Sequence, residues 1–196
     1  HHNGGATGKP ILTFNNESSN FQTGKEYIIS SNEKGGDSVS SNGSNVTNTI
    51  ISSAIEPTNS TKWIFESAGN NKYYIKSLET NRYIYVNNGS GYGTVTADLT
   101  LSTSNKTAFS VSGTNSIQIS CQISYRNFWG GTQTATVYIA CDNYGNWTAS
   151  NNYYNDVSTT LYLLTYKLLP KDDGNDENDI DTVVNIKVLG GIINNN

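Results

Sequence analysis

Every second residue is apolar or aromatic in one short run after another of this chain. The series starts with EYIIS at Glu26, NTIISS at Asn48 and TKWIFE at Thr61. It restarts with KYYIKS at Lys72, RYIYV at Arg82, TVTADLTLS at Thr94 and TAFSVS at Thr107. A third pass reads SIQISC at Ser116, VYIAC at Val137, NWTAS at Asn146 and TLYLLTY at Thr160. Alternation over four to six residues marks half-buried strands, one side chain in two facing a core. Each pass opens on a pair two residues apart: Tyr27 and Ile29, Tyr73 and Ile75, Ile117 and Ile119. Each closes on another: Trp63 and Phe65, Phe109 and Val111, Tyr162 and Leu164.

Three passes of roughly 50 residues, with four strands expected in each, define an internal repeat. The rhythm of Thr23 to Leu169 therefore resembles the β-trefoil superfamily, which implies an all-β fold of three four-stranded repeats, a six-stranded barrel capped by hairpins. A β-sandwich accounts for the strand count but not for the recurring aromatic-x-apolar closing strand. The expected organisation is residues 1–22 as tag remnant and linker, from His1-His2 onward, then 23–169 as the β-trefoil-like domain. Residues 170–181 are an acidic linker, because Pro170 cannot donate to a ladder and KDDGNDENDID follows. TVVNIKV within 182–196 alternates again, as the start of a following domain or as an added strand. The chain contains no methionine, so a processed or excised piece of a larger protein is expected.

Charge excludes one class of partner. Between Gly24 and Leu169 nine basic side chains balance nine acidic ones, and the net charge of −4 resides in the acidic C-terminal run. Such a unit has no electrostatic footprint for nucleic acid or an anionic membrane. No apolar run approaches the ~18 residues of a spanning helix, so membrane insertion is not expected.

Histidine occurs only at His1 and His2. Ser-His-Asp and Cys-His catalysis then lack their base, and His-based zinc sites lack their ligands. Glu66, Glu79, Asp98, Asp142 and Asp156 could serve a carboxylate-pair mechanism only if folding brought two together, and no spacing singles out a pair. The acidic run lacks calcium-loop spacing. No enzyme activity, cofactor or metal is expected.

Two segments stand out as binding candidates. In YRNFWGGTQTAT, Phe128 and Trp129 sit beside two glycines in a loop, where rings have no core to fill and suit stacking. The alternative is a loop folded back as a barrel plug. In CDNYGNWTAS, Asp142, Asn143, Tyr144 and Trp147 gather acceptors, donors and rings around one turn. This turn resembles the hairpin of ricin-type trefoil lectins, where an acidic residue accepts sugar hydroxyls and an aromatic ring stacks. The family's Gln-x-Trp signature is absent from all three passes. The resemblance then implies at most one glycan site; the two segments together are expected to form it, with Asp142, Asn143, Tyr144 and Trp147 as floor and Phe128 and Trp129 as flanking wall. Trp147 as hairpin core is the bland alternative.

Folding the third-pass hairpin about residue 131 places Cys121 opposite Cys141 on the inward face. The pair is then either a cross-strand disulfide in an oxidising compartment or two small core thiols. The expected molecule is a monomeric, secreted or cell-surface module, most readily bacterial, that binds glycan without catalysis. A protein-binding or architectural spacer is the rival.

Overall fold

The computed structural model describes residues 13–15, 21–33, 36–52, 56–113, 116–152, 155–170 and 180–188. Most of 1–22, the acidic run 171–179 and Tyr153-Tyr154 lie outside the described residues. Among those described, strands run in order as β1 (Thr13–Asn15), β2 (Glu26–Ser31), β3 (Asp37–Asn42), β4 (Asn45–Ile50), β5 (Trp63–Gly69), β6 (Lys72–Ser77), β7 (Tyr83–Val86) and β8 (Gly89–Tyr92). They continue as β9 (Thr94–Ala97), β10 (Leu99–Ser102), β11 (Phe109–Gly113), β12 (Ile117–Arg126), β13 (Thr132–Cys141), β14 (Trp147–Ser150), β15 (Thr159–Pro170) and β16 (Ile180–Val188).

Six strands close a ring in the order β2, β5, β6, β11, β12, β15 and back to β2. The pairs that join them are mostly the alternating residues: Tyr27 with Trp63, Phe65 with Ile75, Phe109 with Tyr73, Val111 with Ile119 and Leu161 with Ile29. Side chains from all six strands merge in one core cluster. Closure leaves these strands no free edge. Hairpins from β3–β4, β7–β10 and β13–β14 send Val39, Ile84, Leu101, Ile139 and Ala149 into the same cluster. The fold is all-β, a β-trefoil.

Local chemistry explains where the strands depart from expectation. β3 is DSVSSN, and Ser38, Ser40 and Ser41 are buried beside Val39. Each buried hydroxyl is satisfied: Ser40 Oγ lies 2.7 Å from Thr47 Oγ1, and Ser41 accepts from Ser77 Oγ at 3.0 Å. Apolar periodicity does not register such a strand. The second pass carries six strands because β8 and β9 form an inserted hairpin ahead of β10. In β15 the inward residues are Leu161 and Leu163, not the expected Tyr162 and Leu164. TLYLLTY is apolar on both faces, so alternation cannot choose; pairing of Leu161 with Ile29 does. Leu164 instead packs with Ile28 in a separate outer cluster, with Ile51 and Tyr162 against it.

At the chain's ends the packed unit is larger than 23–169. Phe21 stacks on Tyr27 with centroids 5.4 Å apart and meets Phe65 and Tyr73 edge-on at 5.1 and 4.9 Å. Pro170 is the last residue of β15 and pairs with Ile180. β16 returns antiparallel along β15, and β1 joins its other side in parallel.

The disulfide expectation fails on register. The β12–β13 hairpin turns about residue 129, which pairs Cys121 with Val137. Cys141 lies four residues farther along β13, roughly 13 Å at strand rise, beyond the ~7 Å limit for bridged Cα atoms. Both cysteines are buried and are not joined in a disulfide, and burial pushes the Cys121 thiol up to about 11.

Candidate functional site

The outer half of the β12–β13 hairpin projects beyond the ring, with Gln122, Arg126, Thr132, Gln133 and Thr134 exposed. Its tip is built on Asn127. The Asn127 Oδ1 accepts from the backbone N–H of Trp129 at 3.0 Å and of Gly131 at 2.8 Å. The Asn127 N–H in turn donates to Gly131 O at 2.9 Å, and Gly130 takes the left-handed conformation at φ 82°. This tight loop has no room to tuck a ring inward. Phe128 is 69% exposed and Trp129 81%, their rings edge-to-face with centroids 5.1 Å apart. The loop does not plug the barrel.

The inserted β8–β9 hairpin completes the wall. β8 runs parallel to β12, pairing Gly89 with Tyr125 and Ser90 with Arg126. Glycine is required by close approach: a Cβ at Gly89 would lie 2.7 Å from Thr96 O and 2.9 Å from Ile123 Cδ1, and one at Gly91 would collide with Thr94 O. Gly91 and Gly93 then share a cleft of about 210 Å³ with Tyr125, Asn127, Phe128, Trp129 and Gln133. Tyr125 donates its phenolic hydrogen to Gln133 Oε1 at 2.8 Å, which leaves the Gln133 amide hydrogens as donors. Rings on one side, amides on another and bare backbone between suit a flat, hydroxylated ligand. Reading the sequence missed this β8 contribution; the alternate glycines of GSGYG were its signal.

Asp142, Asn143, Tyr144 and Trp147 lie elsewhere. They occupy the turn at the opposite end of β13, roughly 30 Å from Phe128 and Trp129 at strand rise. Floor and wall are thus two separate places. Trp147 is 6% exposed, belongs to the core cluster and donates from Nε1 to Asn48 Oδ1 at 2.9 Å. Its ring faces are covered, so it cannot stack on a ligand. Asp142 serves its own turn: Oδ1 accepts from the N–H of Tyr144 and Asn146 at 2.8 and 2.9 Å, and Oδ2 from Asn146 Nδ2 at 3.1 Å. Tyr144 stands 90% exposed at the tip, beside Asn143.

Of the remaining candidate carboxylates, Glu66, Glu79 and Asp156 have local partners. Glu66 accepts from Tyr83 Oη at 2.5 Å and pairs with Lys76 at 2.9 Å, and the Tyr83 hydrogen bond first, then Lys76, holds its carboxyl below the usual range. Glu79 accepts from Ser41 at 3.3 Å. Asp156 is buried and accepts from Ser31 Oγ at 2.6 Å and from the N–H of Glu33 and Ser158 at 2.7 and 3.1 Å. Among the described residues no group of three His, Cys, Asp or Glu side chains could hold a metal, and no helix is long and apolar enough to cross a membrane.

No family model matches the sequence, and no curated protein does. Among solved structures the chain is similar to a ricin B-like lectin of Macrolepiota procera in complex with lactose. The TM-score is 0.52 at 11% identity, over 72% of this chain and 96% of the lectin. At that identity the likeness is one of fold alone, the β-trefoil.

Proposed function

We propose that the chain is a non-catalytic glycan-binding module whose main site is the tip of the β12–β13 hairpin. Trp129 and Phe128 offer ring faces to a sugar, Asn127 and Gln133 offer amide groups to its hydroxyls, and Gly91 and Gly93 let it approach the backbone. The observation that carries this reading is the exposure of two large rings, 69% and 81%, at the mouth of a polar-lined cleft. Rings left in water on a rigid tip cost solubility unless something covers them. That a lectin of the same fold was solved with lactose supports the choice of ligand class.

Asp142, Asn143 and Tyr144 form a second contact surface in this proposal, with Tyr144 as its ring and Trp147 as its buried support. A secreted or cell-surface setting, most readily in a bacterial multidomain protein, suits the neutral folded unit. The module acts as a monomer without cofactor. A second reading, a surface-protein partner, is favoured by the exposure of Tyr144 and of Ile50, 68% exposed.

A glycan array followed by calorimetry on the best binder tests the proposal. Trp129→Ala should weaken binding about tenfold, the effect of roughly 1.4 kcal/mol expected of one stacking ring, with circular dichroism unchanged. Full retention of binding by Trp129→Ala and Phe128→Ala would overturn it.

A further inference from the structure

A second cleft lies against the same hairpin. It measures about 190 Å³ and is lined by Asn88, Gly89, Ser124, Tyr125, Arg126 and Thr132. Pairing of Tyr125 with Gln133 and of Arg126 with Thr132 puts successive residues on opposite faces. Ser124, Arg126 and Thr132 therefore open to the face opposite Gln133, while Tyr125 lines both clefts. Arg126 is set in register from two sides, by Thr132 of β13 and Ser90 of β8.

The chemistry of this cleft is one-sided. No carboxylate lines it. Among the described residues the guanidinium of Arg126 has no hydrogen bond or ion pair. Around it stand neutral donors: the Asn88 amide and the hydroxyls of Ser124 and Thr132. A planar fork of N–H donors beside hydroxyls, with no acid to neutralise it, matches a carboxylate or sulfate oxyanion.

We propose that this cleft receives the anionic group of an acidic saccharide whose neighbouring sugar stacks on Trp129 and Phe128. The inference rests on the glycan reading above and adds a charge requirement to it. A single cation cannot track a polyanion backbone, so one oxyanion per bound chain is recognised, not nucleic acid. A short chain passing around Tyr125, which lines both clefts, reaches from the aromatic cleft to the charged one. Arg126 is then the specificity-determining residue.

The test is calorimetry with three matched oligosaccharides: neutral, uronate-bearing and sulfate-bearing, at low salt and at 0.5 M salt. The acidic ligands should bind five- to tenfold more tightly than the neutral one at low salt, and high salt should erase the difference, as screening of an exposed pair requires. Arg126→Gln should remove the preference while leaving neutral-glycan affinity unchanged; a merely structural role would lower both. The uronate and sulfate arms tell which oxyanion is preferred. Equal affinity for all three, unaffected by Arg126→Gln, overturns the charge requirement and leaves the glycan reading standing. Binding of none of them overturns both.

Discussion

Trp147 and Trp129 differ in what surrounds them, and the difference has a size. Replacing Trp147 by Ala uncovers a side chain of roughly 150–250 Å², worth about 4–6 kcal/mol at 25 cal/mol per Å². The methyl left behind and partial collapse reduce this to the ~3–5 kcal/mol usual for a buried Trp→Ala change. The Asn48 amide also loses its donor partner. Because Asn48 is half-buried and reaches solvent, that loss adds no more than about 1 kcal/mol. Trp147→Phe keeps most of the area but removes the Nε1–H and part of the indole volume, for an expected cost of about 1–2 kcal/mol in total. Trp129→Ala, by contrast, removes a ring that contacts mainly water and Phe128, and should stay within ~0.5 kcal/mol. Urea unfolding followed by far-ultraviolet circular dichroism reads all three, since the signal does not depend on the substituted indole. With a slope near 2 kcal/mol per molar, Trp147→Ala should lower the midpoint by roughly 1.5–2.5 M. A shift under ~0.3 M for Trp147→Ala, or an equal one for Trp129→Ala, would refute the assignment of one ring to the core and the other to the surface.

Other outcomes follow from particular contacts. Cys121 is buried, with its thiol pushed up to about 11 from 9.0 by desolvation. The native protein should therefore resist thiol reagents at pH 8 and react once unfolded, and a reductant should leave its melting temperature unchanged. Its folded pKa is raised, so its contribution to stability is complete below about pH 9 and is lost as pH climbs toward 11. The stability difference between wild type and Cys121→Val should shrink over that window; a difference flat across it would contradict the shift. Gly91→Ala forces a Cβ into Thr94 O and should open the β8–β9 hairpin. Glycan affinity should then fall at least as far as in Trp129→Ala, with less than 3 kcal/mol lost in urea; unchanged affinity would remove β8 from the site.

The barrel was legible because its signal is carried by side chains that have one reason to alternate. Tyr27, Ile29, Trp63, Phe65, Phe109, Val111, Ile117 and Ile119 are all buried and are all read correctly from period two. Where burial is achieved by other means the pattern is silent. β3 buries serines that satisfy one another, and β8 is half glycine because backbone must approach backbone. Where apolar residues fill both faces, as in Leu161–Leu164, the pattern is ambiguous and only the partner strand decides. Register was the least accessible quantity. Moving the β12–β13 turn from residue 131 to 129 separates the two cysteines, and no composition of strand residues specifies that choice.

The binding candidates divide along the same line. Phe128 and Trp129 were recognisable because a loop bracketed by Asn127 and two glycines cannot bury them. Trp147 was misjudged because its place on a hairpin strand, with Nε1 bonded to Asn48 from a segment 99 residues away, is a tertiary fact. The same holds for the separation of the two clusters by the length of β13. Alternating glycines at 89, 91 and 93 are compatible with a flexible loop or with a tightly apposed strand; contact with Ile123 and Thr96 selects the strand.

The most direct measurement uses the three indole N–H resonances of the ¹⁵N-labelled protein, titrated with the glycan that an array selects. Trp63 donates to Val39 O at 2.9 Å and Trp147 to Asn48 Oδ1 at 2.9 Å, both shielded, whereas Trp129 is open to solvent. The account predicts that the Trp129 signal moves and saturates with ligand while the other two stay fixed. Movement of the Trp63 or Trp147 signal with Trp129 unmoved would contradict it.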